Sequence, residues 1–108
     1  MPSESDDCLF CTLVREGDHV LADEDFVAIR DILPKAPTHL LVLPRRHIET
    51  FREIAEFPAE EAKRMLEFVN EAASSEGLED YKLQVNVGPA AGQVVFHLHW
   101  HVLGGWPA

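Results

Sequence analysis

Three histidines at every-other spacing, His97, His99 and His101, stand in the stretch FHLHWHVLGG at 96–105. They are half of the chain's six histidines. Imidazole is a nucleophile, a metal ligand, and an acid or base near neutral pH. In a strand, residues i, i+2 and i+4 share a face, so the three rings point one way. Phe96, Leu98, Trp100 and Val102 then point the other way, into a core or interface. A solvated polar face is one reading, but such faces are usually built from Lys, Glu and Thr. A single metal ion held by all three is another, yet first and last Cα atoms would lie ~13 Å apart, which is wide for one ion. The third reading gives the rings separate jobs of attack, orientation and proton transfer.

Neighbouring residues bear on this choice. Asn86, Gly88, Gly92 and Gln93 precede the histidines, and a glycine-containing loop with amide side chains can aim N–H donors at an anionic centre. The loop has neither a Gly-Lys-Ser/Thr nor a G-x-G-x-x-G pattern, and a plain hairpin explains it equally well on its own. The two cysteines, Cys8 and Cys11, form a C-x-x-C pair. In a reducing compartment that spacing points to metal binding or thiol redox chemistry, with two unligated core thiols as the remaining reading.

These groups need a scaffold. A chain of 108 residues with 46% hydrophobic content suits a single domain, 1–108. A short helix is expected at 8–15, capped by Asp6-Asp7, carrying Phe10, Leu13 and Val14 on its apolar side and stopped at Gly17. Short strands are expected at His19–Leu21 and Phe26–Arg30, followed by an apolar strand at His39–Leu43 ended by Pro44. Ile48, Phe51, Ile54 and Ala55 suggest a helical turn or two. The strongest helix is 59–75, with Ala62, Met65, Leu66, Val69, Ala72 and Ala73 on one face. Strands at Tyr81–Val87 and Val95–Leu103 complete an α+β domain with an antiparallel sheet of five strands, one long helix and short helices.

Composition narrows the partners. The formal net charge is −10, and the only paired bases are Arg45-Arg46 and Lys63-Arg64. Duplex nucleic acid and anionic membranes are therefore not expected. No run of ~18 apolar residues is present, and MPSESDDCLF has no signal-peptide pattern, so a cytoplasmic protein is expected.

The segments HLHWHVL at 97–103, CLFC at 8–11, RDILPKAPTHLLVLPRRHI at 30–48 and NVGPAAGQVVFHLHWHVLGG at 86–105 together resemble the histidine-triad family. Gly104-Gly105 resembles its Hint-like branch of nucleoside phosphoramidate hydrolases. The resemblance covers nearly the whole chain. It implies an antiparallel sheet with a long helix, continued across a homodimer. It also implies transfer of a purine nucleoside monophosphate group from a phosphoramidate, or a related AMP or GMP conjugate, through a nucleotidyl-histidine to water. His99 matches the nucleophile, His101 the phosphate contact and leaving-group acid, and His39 a supporting fourth histidine. Asp31 matches the acid that holds the ribose hydroxyls, although alone it would read as a turn or cap acid. Ile32, Asn86, Gly92, Gln93 and Val94, with His99 and His101, complete the implied nucleotide site. Zinc-bearing relatives imply a closed structural zinc site at Cys8, Cys11, His47 and His97.

Two departures stand out. Val94 occupies a position where the branch commonly carries a small hydroxyl residue, and the tail ends early at GGWPA, so that Trp106 is a shortened version of a longer tail. The alternatives to a phosphoramidate hydrolase are a dinucleoside polyphosphate hydrolase of the fragile-histidine-triad branch and a non-catalytic nucleotide- or zinc-binding regulatory module. His19 reads only as a surface or strand histidine.

Overall fold

A computed structural model describes residues 8–107. Its elements run α1 (Leu9–Glu16), β1 (Leu21–Ala22), β2 (Phe26–Arg30), β3 (Thr38–Pro44), a 3-10 stretch (Phe51–Glu56), α2 (Ala59–Ser75), β4 (Tyr81–Gln84), a short 3-10 turn (Pro89–Ala91) and β5 (Trp100–Gly104). The strands form one antiparallel five-stranded sheet in the order β1-β2-β3-β5-β4.

Alternation along the strands sorts side chains to two covered faces. Phe26, Ala28, Leu40, Val42, Leu98 and Val102 meet Met65, Phe68, Val69, Ala72 and Ala73 of α2. Val27, Ile29, Leu41 and Leu43 face the other way and meet Phe10 and Val14 of α1. The long helix spans the residues its periodicity predicts, with one change of face. Leu66 is 55% exposed, and Phe68 takes a core position in its place. At ~100° per residue, 65, 68, 69, 72 and 73 form one stripe and 66 lies outside it.

Several boundaries differ from expectation: β1 covers Leu21–Ala22 rather than His19–Leu21, and β3 runs Thr38–Pro44 rather than His39–Leu43. The first helix is capped by Cys8, whose Sγ accepts from the Cys11 N–H at 3.2 Å; the expected caps Asp6 and Asp7 lie outside the described residues. Strand β4 stops at Gln84 rather than Val87. Just beyond it the Asn86 side chain donates to the Ala91 carbonyl at 2.7 Å and closes the glycine loop. Most consequential for the site, β5 pairs only from Trp100, not from Val95. Continued in this register, the ladder would set His99 against Leu43 and then Leu98 against Pro44, which has no N–H to give. The Leu98 N–H goes instead to the Ile48 carbonyl, and the Pro44 carbonyl accepts from the His97 ring. His97 and His99 therefore sit on an extended approach to the strand, and only His101 is in the ladder.

Gly104 closes β5 where a Cβ would lie only 3.0 Å from the Asp80 carbonyl and from Leu78, so a side chain there would press on both. Among the described residues no helix is long and apolar enough to cross a membrane.

Candidate active site and metal centre

The α1 face of the sheet carries a cavity of about 550 Å³. It is lined by Leu9, Phe10 and Leu13 of α1 with Ile29 and Ile32, and by Asp31 and Lys35 on the loop after β2. His39, His99 and His101 with Gln84, Asn86, Gly92 and Val94 also line it.

Hydrogen bonding assigns the tautomers of the three cavity-lining rings. A carbonyl can only accept, so His99 Nδ1, 2.7 Å from the His97 carbonyl, carries the proton. The Nε2 of neutral His99 is then a lone pair. The Lys35 backbone N–H donates to His39 Nδ1 at 3.0 Å, so His39 carries its proton on Nε2 and donates it to His101 Nδ1 at 2.8 Å. His101 is thereby held with an N–H at Nε2. One ring thus keeps a lone pair and its neighbour an N–H, with the ring centroids 5.0 Å apart.

The environment keeps these rings neutral. Burial lowers the pKa of His101 to about 4 from the ordinary 6.5; the neighbouring His99 and His39 add to the shift and Asp31 opposes it. Burial also lowers His99, against the hydrogen bond to the His97 carbonyl and the charge of Asp31. For His39 burial again leads, Asp31 opposes, and Lys35 adds to the lowering. Asp31 accepts from the Leu33 N–H at 2.9 Å through Oδ1, while Oδ2 lies 3.4 Å from His39 Nε2. Asp31, His39 and His101 cluster closely enough to suggest a metal. However, both nitrogens of His39 and Nδ1 of His101 are already engaged in hydrogen bonds, so this trio offers an ion too few lone pairs.

The glycine loop is built around Gly92, whose φ of 92° lies in the left-handed region that favours glycine. The Asn86 Oδ1 accepts from Gln84 Nε2 at 3.0 Å. Val94 is 85% exposed and lines the cavity. Gln93 is placed differently from its neighbours. Its side chain is 3% exposed, accepts from the Gly88 N–H, and donates to the Glu49 and Val95 carbonyls. It ties the loop to the segment before the 3-10 stretch and does not line the cavity.

Behind His99 the chain assembles a second cluster. Cys8, Cys11, His47 and His97 offer ligand atoms that all lie within 4.8 Å of one another. Cys11 Sγ is 3.1 Å from His47 Nδ1 and 3.4 Å from His97 Nδ1, and Cys8 Sγ is 3.5 Å from His97 Nδ1. Ligands ~2.0–2.3 Å from one tetrahedral ion are spaced in this range. His97 is fully buried and donates from Nε2 to the Pro44 carbonyl at 2.8 Å, which turns its Nδ1 lone pair toward the thiols. A ligand histidine anchored by a carbonyl through its other nitrogen is the usual outer-shell arrangement. The four residues therefore fit a metal ion, and their soft sulfur and imidazole donors suit zinc.

Residues 13–107 match the HIT domain model. The chain belongs to the histidine-triad (HIT) family. The purine nucleoside phosphoramidase of Escherichia coli K12 is 33% identical over 108 residues, covering 95% of this chain and 91% of that protein. A HIT family hydrolase from Legionella pneumophila superposes with a TM-score of 0.85 at 38% identity, covering 94% of this chain and 95% of the other. A zinc-bound histidine triad family protein from Mycobacterium smegmatis superposes with a TM-score of 0.74 at 29% identity, covering 91% and 74%. The HIT fold is thus shown for the chain.

Several contributors were not singled out from the sequence. Leu9, Leu13 and Ile29 form the apolar wall, and the i, i+3 and i+4 spacing along α1 is the signal that could have found the helical ones. The Lys35 N–H and the Pro44 carbonyl set two tautomers, and backbone roles of this kind leave no trace in residue type. His19 bonds the Leu13 carbonyl through Nε2 at 3.0 Å and so caps the end of α1.

Proposed function

We propose that this chain hydrolyses purine nucleoside phosphoramidates, or related AMP and GMP conjugates, through a nucleotidyl intermediate on His99. The observation that carries this reading is the His99–His97 hydrogen bond, which leaves Nε2 of the cavity-lining His99 as a lone pair. The apolar lining of Leu9, Leu13, Ile29 and Ile32 suits a flat base, Asp31 suits the ribose hydroxyls, and the segment Asn86, Gly92 and Val94 suits the phosphate. Gln93 would act there by holding the loop.

In the first step Nε2 of His99 bonds to phosphorus as the P–N bond breaks, and the departing nitrogen gains a proton. In the second step water displaces Nε2 and releases a proton, giving the nucleoside monophosphate. Neutral His101 can hydrogen-bond the phosphate or the departing nitrogen through its Nε2–H. The proton for that nitrogen comes from a His101 protonated as the anionic substrate binds. The proton that water releases restores it, so no imidazolate forms. Two successive displacements replace one harder one.

A zinc ion at Cys8, Cys11, His47 and His97 would be four-coordinate and closed, and would supply rigidity rather than an activated water. The two thiols suit a reducing compartment such as the cytoplasm. A second copy of the chain would extend the sheet along β4, an edge strand whose Leu83 is 49% exposed. Light scattering should then give twice the chain mass, and Leu83→Glu should shift it toward the monomer.

The substrate class is tested by steady-state kinetics on an AMP-amine conjugate beside a diadenosine polyphosphate. A higher kcat/KM for the amine conjugate is expected; a strong preference for the polyphosphate would replace this reading with the dinucleotide one.

A further inference from the structure

The two clusters share one short helix and one peptide unit. On α1, Cys8 and Cys11 face the metal centre, while Leu9, Phe10 and Leu13 line the cavity. Phe10 sits between the sites. Its ring meets His99 edge-on with centroids 4.9 Å apart and an interplanar angle of 89°, and meets His97 at 6.4 Å and 68°. His97 links them a second time, offering Nδ1 to the thiols while its own carbonyl accepts from His99 Nδ1.

We propose that metal binding and nucleotide binding are coupled in this chain, with Phe10 as the positioning residue that transmits the coupling between α1, His97 and His99. The inference rests on the metal reading above and goes beyond a structural role for the ion.

The physical reason lies in what holds the start of α1. A helix of eight residues is marginal by itself. Phe10 and Val14 anchor it in the core, while the polar contacts of Cys8 and Cys11 include a thiol cap and thiol–imidazole contacts, and thiols are weak hydrogen-bonding groups. A metal ion joining Cys8 and Cys11 to His47 and His97 replaces those contacts with strong bonds. That fixes the turn carrying Leu9 and Phe10, and it fixes the His97 ring whose backbone carbonyl selects the His99 tautomer. The ordering is then no longer borne by the nucleotide when it binds, which is positive cooperativity. By linkage the effect is reciprocal, so nucleotide must tighten metal binding by the same factor.

The test uses the full chain stripped of metal and reloaded with zinc or cobalt. Cobalt absorption gives metal stoichiometry and affinity, calorimetry gives the Kd for AMP, and ¹⁵N-imidazole NMR gives the His99 tautomer. We expect zinc to tighten AMP binding on the order of tenfold, AMP to tighten metal binding equally, and the Nδ1–H form of His99 to gain population with metal. Phe10→Leu keeps the apolar bulk and should still bind metal while its coupling factor falls toward one. Should Phe10→Leu fail to fold, Cys8→Ser with Cys11→Ser should leave AMP affinity indifferent to zinc. Stoichiometric metal binding with unchanged AMP affinity and an unchanged His99 tautomer overturns the coupling and leaves the metal site standing. Absence of metal binding overturns both.

Discussion

The Nδ1 of His99 lies 2.7 Å from the carbonyl oxygen of His97, two residues earlier on the same segment. This contact decides which nitrogen of His99 keeps a lone pair. Replacing His99 by Ala removes the proposed nucleophile but leaves the His39–His101 pair. Turnover of an AMP-amine conjugate should fall by on the order of 10⁴-fold or more. Intact mass spectrometry of the wild-type protein under rapid quench should show a nucleotidyl adduct that is absent from the variant. Unchanged turnover in His99→Ala would remove His99 from the mechanism.

His39 is 4% exposed and spends both nitrogens on holding His101, with Nδ1 on the Lys35 N–H and Nε2 on His101. His39→Ala frees His101 to adopt either tautomer. Proton transfer by a positioned group contributes ~10²–10⁴-fold. Since His39 acts through another residue, kcat should drop by about 10²-fold with KM little changed. The loss should be larger for leaving groups of high pKa, which need the proton most. Equal losses across a leaving-group series would assign His39 a packing role alone.

The buried rings make stability depend on pH in a definite direction. His101 is lowered to about 4, and His39 and His99 are lowered too, all mainly by burial. In the unfolded chain these rings titrate near 6.5, so below that value the unfolded state binds more protons than the folded one. Stability from this source is fully present above pH ~6.5 and is lost progressively as pH falls toward about 4. Thermal melts from pH 8 to 4 should show a flat upper region and a decline beginning near 6.5. His101→Asn should shallow that decline. A melting temperature that rises on acidification would contradict neutral, buried rings.

Much of this was legible in residue types. The alternation of HLHWHV separates chemistry from core, with Leu98, Trp100 and Val102 on the α2 side, while Phe96, expected with them, is 39% exposed and outside the core. The periodicity of 59–75 places α2 at its observed ends. The C-x-x-C pair, His47 and His97 converge as their spacing in the chain could only suggest. What could not be read was set by the backbone. Pro44 cuts the β3–β5 ladder short, which frees His97 to turn toward the thiols, and no alternation rule contains that event. Gln93 shows the same limit from the other side. Its amide looks like a phosphate donor in the sequence, yet tertiary contacts to Gly88, Glu49 and Val95 consume it.

Val94 stands 85% exposed on the cavity wall, one residue past Gln93 and beside the loop built on Gly92. Its isopropyl group offers an anionic phosphate no donor. Thr has nearly the same shape and the same β-branching, so Val94→Thr changes chemistry without a new cavity or clash. A hydrogen bond to a charged group contributes ~1.5–3 kcal/mol when geometry is good. An exposed site competes with water, and the lower end of that range corresponds to about a tenfold gain in kcat/KM. The gain should be in kcat if the hydroxyl meets charge that develops as the P–N bond breaks, and in KM if it meets the ground-state phosphate. Steady-state kinetics on one AMP-amine substrate separates the two, and identical constants for Val94→Thr and wild type would place this residue out of reach of the phosphate.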